Sequence, residues 1–129
     1  MTLKELKKYF ENDKFAMDVG CEILTAGDGQ AVVTLDVCEK HFNGVGIVQG
    51  GVVFTLADFA CAVAANSEES TFVSADGTIS YLNAAVGKRL VASAKVVKDG
   101  KTLAFCEATI TNDDDKLVAK ASFTMCRIK

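Results

Sequence analysis

The chain contains no proline, a single histidine (His41), no Cys-x-x-Cys pair and no lysine- or arginine-rich run. Each absence excludes something. No repeat, linker or low-complexity stretch divides the 129 residues, a length that suits one domain, residues 1–129. One histidine without closely spaced thiols gives zinc no ligand set, so no metal or other cofactor is expected. The cysteines (Cys21, Cys38, Cys61, Cys106 and Cys126) are odd in number and widely spaced. A secreted disulfide scaffold has an even count in a smaller chain, so these read as reduced, mostly buried thiols of a cytoplasmic protein. The net charge is −3 and the pI about 5.1. Binding phosphate needs a concentrated basic face, so nucleic acid is not an expected partner. The N-terminal MTLKELKKYFENDKF is charged and lacks the apolar core of a signal peptide.

What the chain does have is apolar residues: half of it is hydrophobic and 24% charged. That is enough to bury a core and stay soluble. From Ile47 to Ala65 only Gln49, Thr55 and Asp58 are polar, close to the roughly 20 residues of a membrane span. Two features argue against a span. Gly50-Gly51 lie near its start, and a central carboxylate costs roughly 2.5–3.5 kcal/mol even on a lenient insertion scale. A helix apolar all round is then one enclosed by soluble protein, and no membrane is expected.

Residues 2–12 read as a short amphipathic helix with Leu3, Leu6 and Phe10 on one side, and Thr2 with Glu5 has capping-box spacing. Residues 13–19 add a helical turn. Cys21 to Ala26 and Gln30 to Val37 flank Gly27-Asp28-Gly29, a hairpin signal. Residues 38–48 form an irregular loop, and the apolar helix follows over about 50–66. Four strands complete the chain: 72–82, 90–98, 102–111 and 117–128, with turns at Asp99-Gly100-Lys101 and Asn112 to Lys116. The class is α+β. An all-apolar helix among antiparallel strands needs a sheet curved around it, and six strands cannot cover all of it. The uncovered part is expected to meet a second copy of the chain.

Two features of this region bear on chemistry. A helix opening at Gly50-Gly51 offers free N–H groups and the positive end of its dipole to a carbonyl oxygen or oxyanion. Asp58 interrupts the apolar helix, where an unpaired carboxylate is expensive. Structural readings stand beside both: a satisfied buried acid at Asp58, and close packing at the glycines. Asn43 alone reads as a turn residue, and His41 as a loop or substrate-contact residue. Phe42, Phe54, Phe59 and Phe72 are candidates for a pocket, though core packing is their more ordinary use. Lys88 and Arg89 could meet phosphates or simply line a solvated turn.

The pattern His41-x-Asn43-x-x-Gly46-x-x-Gln49-Gly50-Gly51, followed by Leu56-x-Asp58, resembles the motif of phenylacetate-degradation-type hot-dog thioesterases. The likeness continues through Ser74 to Leu82, Gly87 and Asn112 to Leu117, covering roughly residues 30–127. It implies a hot-dog fold, an antiparallel six-stranded sheet wrapped around the helix at about 50–66. It also implies hydrolysis of acyl-CoA or aryl-CoA thioesters, with coenzyme A part of the substrate. Gly50 would polarise the thioester carbonyl through its N–H, and Asn43 would help bind that carbonyl or hold the loop. Asp58 would be nucleophile or general base, with Ser74 as its assisting hydroxyl. Gln49, Gly51 and His41 would contact substrate. Gln49 departs from the family, which has histidine there; glutamine hydrogen-bonds but does not titrate.

Gly50 and Asp58 are eight residues apart, about 12 Å along a helix, too far to act on one carbonyl group. The family pairs Gly50 and Asn43 of one subunit with Asp58 of the facing one, which implies a homo-oligomer, a tetramer built as a dimer of dimers. A non-catalytic acyl-CoA-binding module is the alternative. A hot-dog dehydratase is less favoured, because those enzymes need a histidine where Gln49 stands.

Overall fold

The computed structural model describes residues 1–66 and 69–129. Helix α1, Leu3–Phe10, opens with the expected capping box: the Thr2 hydroxyl accepts from the Glu5 amide while the Glu5 carboxylate accepts from the Thr2 amide. It buries Leu6 and Phe10. A second short helix, α2 (Lys14–Val19), is N-capped by Asp13 and stopped by Gly20, whose φ of +107° suits glycine. Strands β1 (Cys21–Gly27) and β2 (Gln30–Asp36) form a hairpin. Its two turn residues, Asp28 and Gly29, both have positive φ. That is the backbone twist a two-residue hairpin needs.

The loop 38–48 contains a single 3-10 turn, Glu39–His41. Helix α3 then runs from Gly50–Ala65. Asn66 ends it and pins it to the sheet, its side chain bonding Ala62 and both backbone groups of Phe72. Strands β3 (Phe72–Tyr81), β4 (Arg89–Asp99), β5 (Leu103–Asn112) and β6 (Leu117–Arg127) complete a six-stranded antiparallel sheet ordered β1-β2-β4-β5-β6-β3. This is the hot-dog arrangement, with α3 touching all six strands.

Small side chains let the helix lie close to the sheet. Ala31, Ala94, Ala108 and Ala121 are successive partners across β2, β4, β5 and β6. All four are buried beneath α3, and Val33, Ala92, Ile110 and Ala119 form the next row. The sheet covers one side of the helix only. Val53, Leu56, Ala57, Phe59, Ala60, Cys61, Val63 and Ala64 are buried. Gly50, Val52 and Phe54 in the first turns are half-buried, and Gly51, Thr55, Asp58, Ala62 and Ala65 are not buried either. The last five recur at intervals of four, three, four and three, so they form one stripe along α3. Among the described residues no helix is long and apolar enough to cross a membrane.

The cysteines are all free: Cys21, Cys61 and Cys106 are buried, Cys126 is half-buried and Cys38 is exposed. Phe59 and Phe72 belong to the core, Phe54 is half-buried against Phe123, and Phe42 is exposed.

Candidate active site

Asp58 sits midway along the open stripe, half-buried, and its Oδ1 accepts a 2.5 Å hydrogen bond from the Ser74 hydroxyl. Burial pushes its carboxyl above the ordinary carboxylate range. The Ser74 bond opposes that shift, and the negative charge of Asp13 reinforces it. The result is a partly desolvated acid held by one hydroxyl, a state suited to taking and returning a proton.

The start of the helix is built differently, from backbone. The amides of Gly50 and Gly51 have no hydrogen-bond partner among the described residues, while those of Val52 and Val53 bond back to the Gln49 carbonyl. The first turn of α3 therefore presents two adjacent free donors at its positive end. The loop before it is shaped by Asn43, whose Oδ1 accepts from the amides of Val45 and Ile47. That leaves the Asn43 Nδ2 as the side-chain donor available for a ligand carbonyl. Gln49 is exposed at the N-cap position but makes no capping bond. Its side chain lies over Gly51, where an added Cβ would come 2.7 Å from Oε1.

His41, expected as a loop or substrate-contact residue, is engaged within the chain. Only 2% exposed, it accepts at Nδ1 from the Cys38 amide, and its Nε2 lies 2.6 Å from the Val19 carbonyl. Nδ1 as acceptor and Nε2–H as donor define the neutral imidazole. Its carbonyl takes the Gln49 amide. The residue thus ties the end of α2 to the approach to α3, and neither ring nitrogen is free. Arg89 is paired with Asp36, Nε to Oδ1 at 2.9 Å, and Asp113 accepts from the amides of Lys88 and Arg89.

Tyr81 is a residue that the motif alone did not single out. Its hydroxyl donates to the Gly50 carbonyl at 2.8 Å. Ser74 and Tyr81 are seven residues apart on β3, an odd interval that would put them on opposite faces of a regular strand. A register shift between Ser74 and Asp76 restores the parity: Ser74 pairs with buried Met125, and Gly77, Ile79 and Tyr81 pair with buried Phe123, Ala121 and Ala119. One bulge therefore aims both hydroxyls at α3, one at each end of the candidate site. Gly77 is needed in between. A Cβ there would come 2.6 Å from the Phe123 ring and 3.1 Å from that of Phe54.

Residues 45–119 match the thioesterase superfamily model, well over half of the chain. The chain belongs to the thioesterase superfamily. Among its relatives is acyl-coenzyme A thioesterase PaaI of Escherichia coli, 37% identical over 85% of this chain and 79% of that protein. The solved structure of the E. coli PaaI protein from the phenylacetic acid degradation operon matches with a TM-score of 0.89 and 34% identity. That match covers 95% of this thioesterase and 89% of the other chain. A hypothetical thioesterase of Streptococcus pneumoniae solved with coenzyme A matches with a TM-score of 0.83 and 31% identity, over 92% and 95% of the two chains.

Proposed function

We propose that this thioesterase hydrolyses acyl-CoA or aryl-CoA thioesters at a site shared between two copies of the chain. The observation that carries the reading is the presence, on one helix, of a raised, hydroxyl-held carboxylate and two free helix-start amides. Gly50 and Gly51, with Nδ2 of Asn43, are suited to hold the thioester oxygen and the negative charge that develops on it. Asp58 of the facing copy takes a proton from water, whose oxygen adds to the carbonyl carbon. The C–S bond then breaks, and the proton passes to the departing thiolate. Acid and CoA thiol result. The elevated proton affinity of Asp58 suits this general-base role. Ser74 orients the carboxylate, and Gln49 flanks the oxygen-binding turn.

The shared site follows from length. With eight residues separating Gly50 from Asp58, about 12 Å lie between them along the axis. A second copy laid on the open stripe supplies the missing half, and a dimer of such dimers would give the tetramer. Its compartment in this reading is the cytoplasm. A dehydratase fits poorly, because the sole histidine has both ring nitrogens engaged.

Coenzyme A release, followed with a thiol reagent across acyl chain lengths and aryl-CoAs, tests the proposal. Saturable release for one substrate class supports it. Tight binding of the same esters without release would instead identify a non-catalytic binding module.

A further inference from the structure

We propose that Tyr81 is a positioning residue that strengthens the oxygen-binding turn by polarising the peptide group between Gly50 and Gly51. The inference rests on the reading of that turn as the thioester-carbonyl site. Its basis is local. The Gly50 carbonyl already faces the amide four residues on, as in any α-helix, and the Tyr81 hydroxyl occupies its second lone pair at 2.8 Å. The same peptide group carries the Gly51 N–H. A donor on the carbonyl draws electron density through the amide and makes that N–H a stronger donor. Because the Gly51 N–H has no partner among the described residues, the gain is delivered to whatever binds there.

A neighbouring contact provides an internal contrast. The Thr55 hydroxyl donates to the Gly51 carbonyl, also at 2.8 Å. The peptide it polarises carries the Val52 N–H, which is spent on the Gln49 carbonyl. Two hydroxyls therefore act on two successive peptides, and only Tyr81 acts on one whose N–H is open. The sequence has made room for it. Gly50 does not have a positive φ, so glycine is not required there by the backbone. It is favoured by Tyr81: a Cβ at position 50 would come 3.1 Å from both Cζ and the hydroxyl oxygen, so the ring would have to give by a few tenths of an ångström. The register shift in β3 is the third element, because without it Tyr81 would face away from the helix.

The test uses the full chain. In Tyr81→Phe the ring stays and the donor is lost. We expect kcat to fall about three- to tenfold, a fraction of the loss from deleting a whole oxyanion donor, with KM and melting temperature close to wild type. The direct readout is infrared difference spectroscopy of a 13C-carbonyl acyl-CoA bound to Asp58→Asn, a background expected to hold the ester unhydrolysed. The bound carbonyl band should lie at lower frequency with Tyr81 than with Phe at this position. Difluorotyrosine, a stronger donor of nearly the same shape, should shift it further down. The sequence has only one other tyrosine, so Tyr9→Phe makes the labelling specific. An identical band in all three proteins, or a change in KM alone, would overturn the inference. If Tyr81→Phe does not fold, the comparison of tyrosine with difluorotyrosine decides by itself. Wild-type protein inactive on every CoA ester would count against the function instead, a result distinguishable from an active enzyme indifferent to Tyr81.

Discussion

At one end of β3 a serine hydroxyl meets a carboxylate, Ser74 to Asp58; at the other a tyrosine hydroxyl meets a backbone carbonyl, Tyr81 to Gly50. The two contacts hold the same helix to the same strand, yet they prepare different chemistry. At Asp58 burial raises the proton affinity of a side chain and one hydrogen bond restrains it. At Gly50 nothing titrates, and what matters is which backbone donors remain unspent. A base can be tuned by its surroundings, whereas an oxyanion site has to be left open and aimed. In the proposed reading the separation is also the reason for a facing copy: the two preparations are about 12 Å apart along one rigid helix.

The largest expected effect is at the acid. Asp58→Asn should lower kcat/KM by about 10³-fold or more, leaving circular dichroism and assembly unchanged. It should also raise the melting temperature at neutral pH. The folded-state pKa of Asp58 is raised, so the native state binds a proton more tightly than the unfolded chain. Stability then falls as pH rises from the unfolded pKa through the folded one, and at neutral pH the ionised form is a liability that asparagine removes. Near-wild-type turnover, or a lower melting temperature at neutral pH, would break this half of the comparison.

A smaller effect is expected at the restraint. Ser74→Ala removes the contact that lowers the Asp58 pKa. The acid limb of the kcat/KM profile should therefore move to higher pH, with loss concentrated below neutrality, about five- to tenfold there. An unmoved limb would mean that Ser74 does not act through the carboxylate.

How much of this the sequence disclosed depends on the range of the interactions. Helix α3 was legible to within a residue, 50–66 against Gly50–Ala65, because its apolar run, its Gly-Gly start and its polar Asn66 end are local. All six strands were legible from alternation and turn residues, and the Gly27-Asp28-Gly29 hairpin from its composition alone. The true bond of His41 was not, since the Val19 carbonyl lies 22 residues away and nothing local predicts it. Tyr81 was hidden for a related reason. Its facing depends on a one-residue register shift seven positions earlier, and alternation read from sequence assumes no such shift. That part of α3 stays uncovered was legible, but which residues line it was hidden: Ala62 and Ala65 lie on the open stripe, yet by composition they match the buried Ala57, Ala60 and Ala64.

The smallest expected effect is at Gln49. Gln49→His should keep or modestly increase kcat/KM, within about threefold, because both side chains hydrogen-bond and Gln49 makes no capping bond. An added pH dependence near about 6.5 would come from the imidazole. Loss of both hydrolysis and ester affinity would assign Gln49 a larger role than flanking the turn.

In the proposed assembly the start and the middle of α3 serve different sites, each completed by a facing copy. Asp58→Asn and Gly50→Val should each be inactive alone, the valine colliding with Tyr81 and closing the turn. Mixed one to one and allowed to exchange subunits, they form heterodimers in which one site carries both changes and the other carries neither. Recovery of about a quarter of wild-type activity is expected from random pairing. A mixture that remains as inactive as its parts, with subunit exchange verified by mass spectrometry, would contradict the shared site.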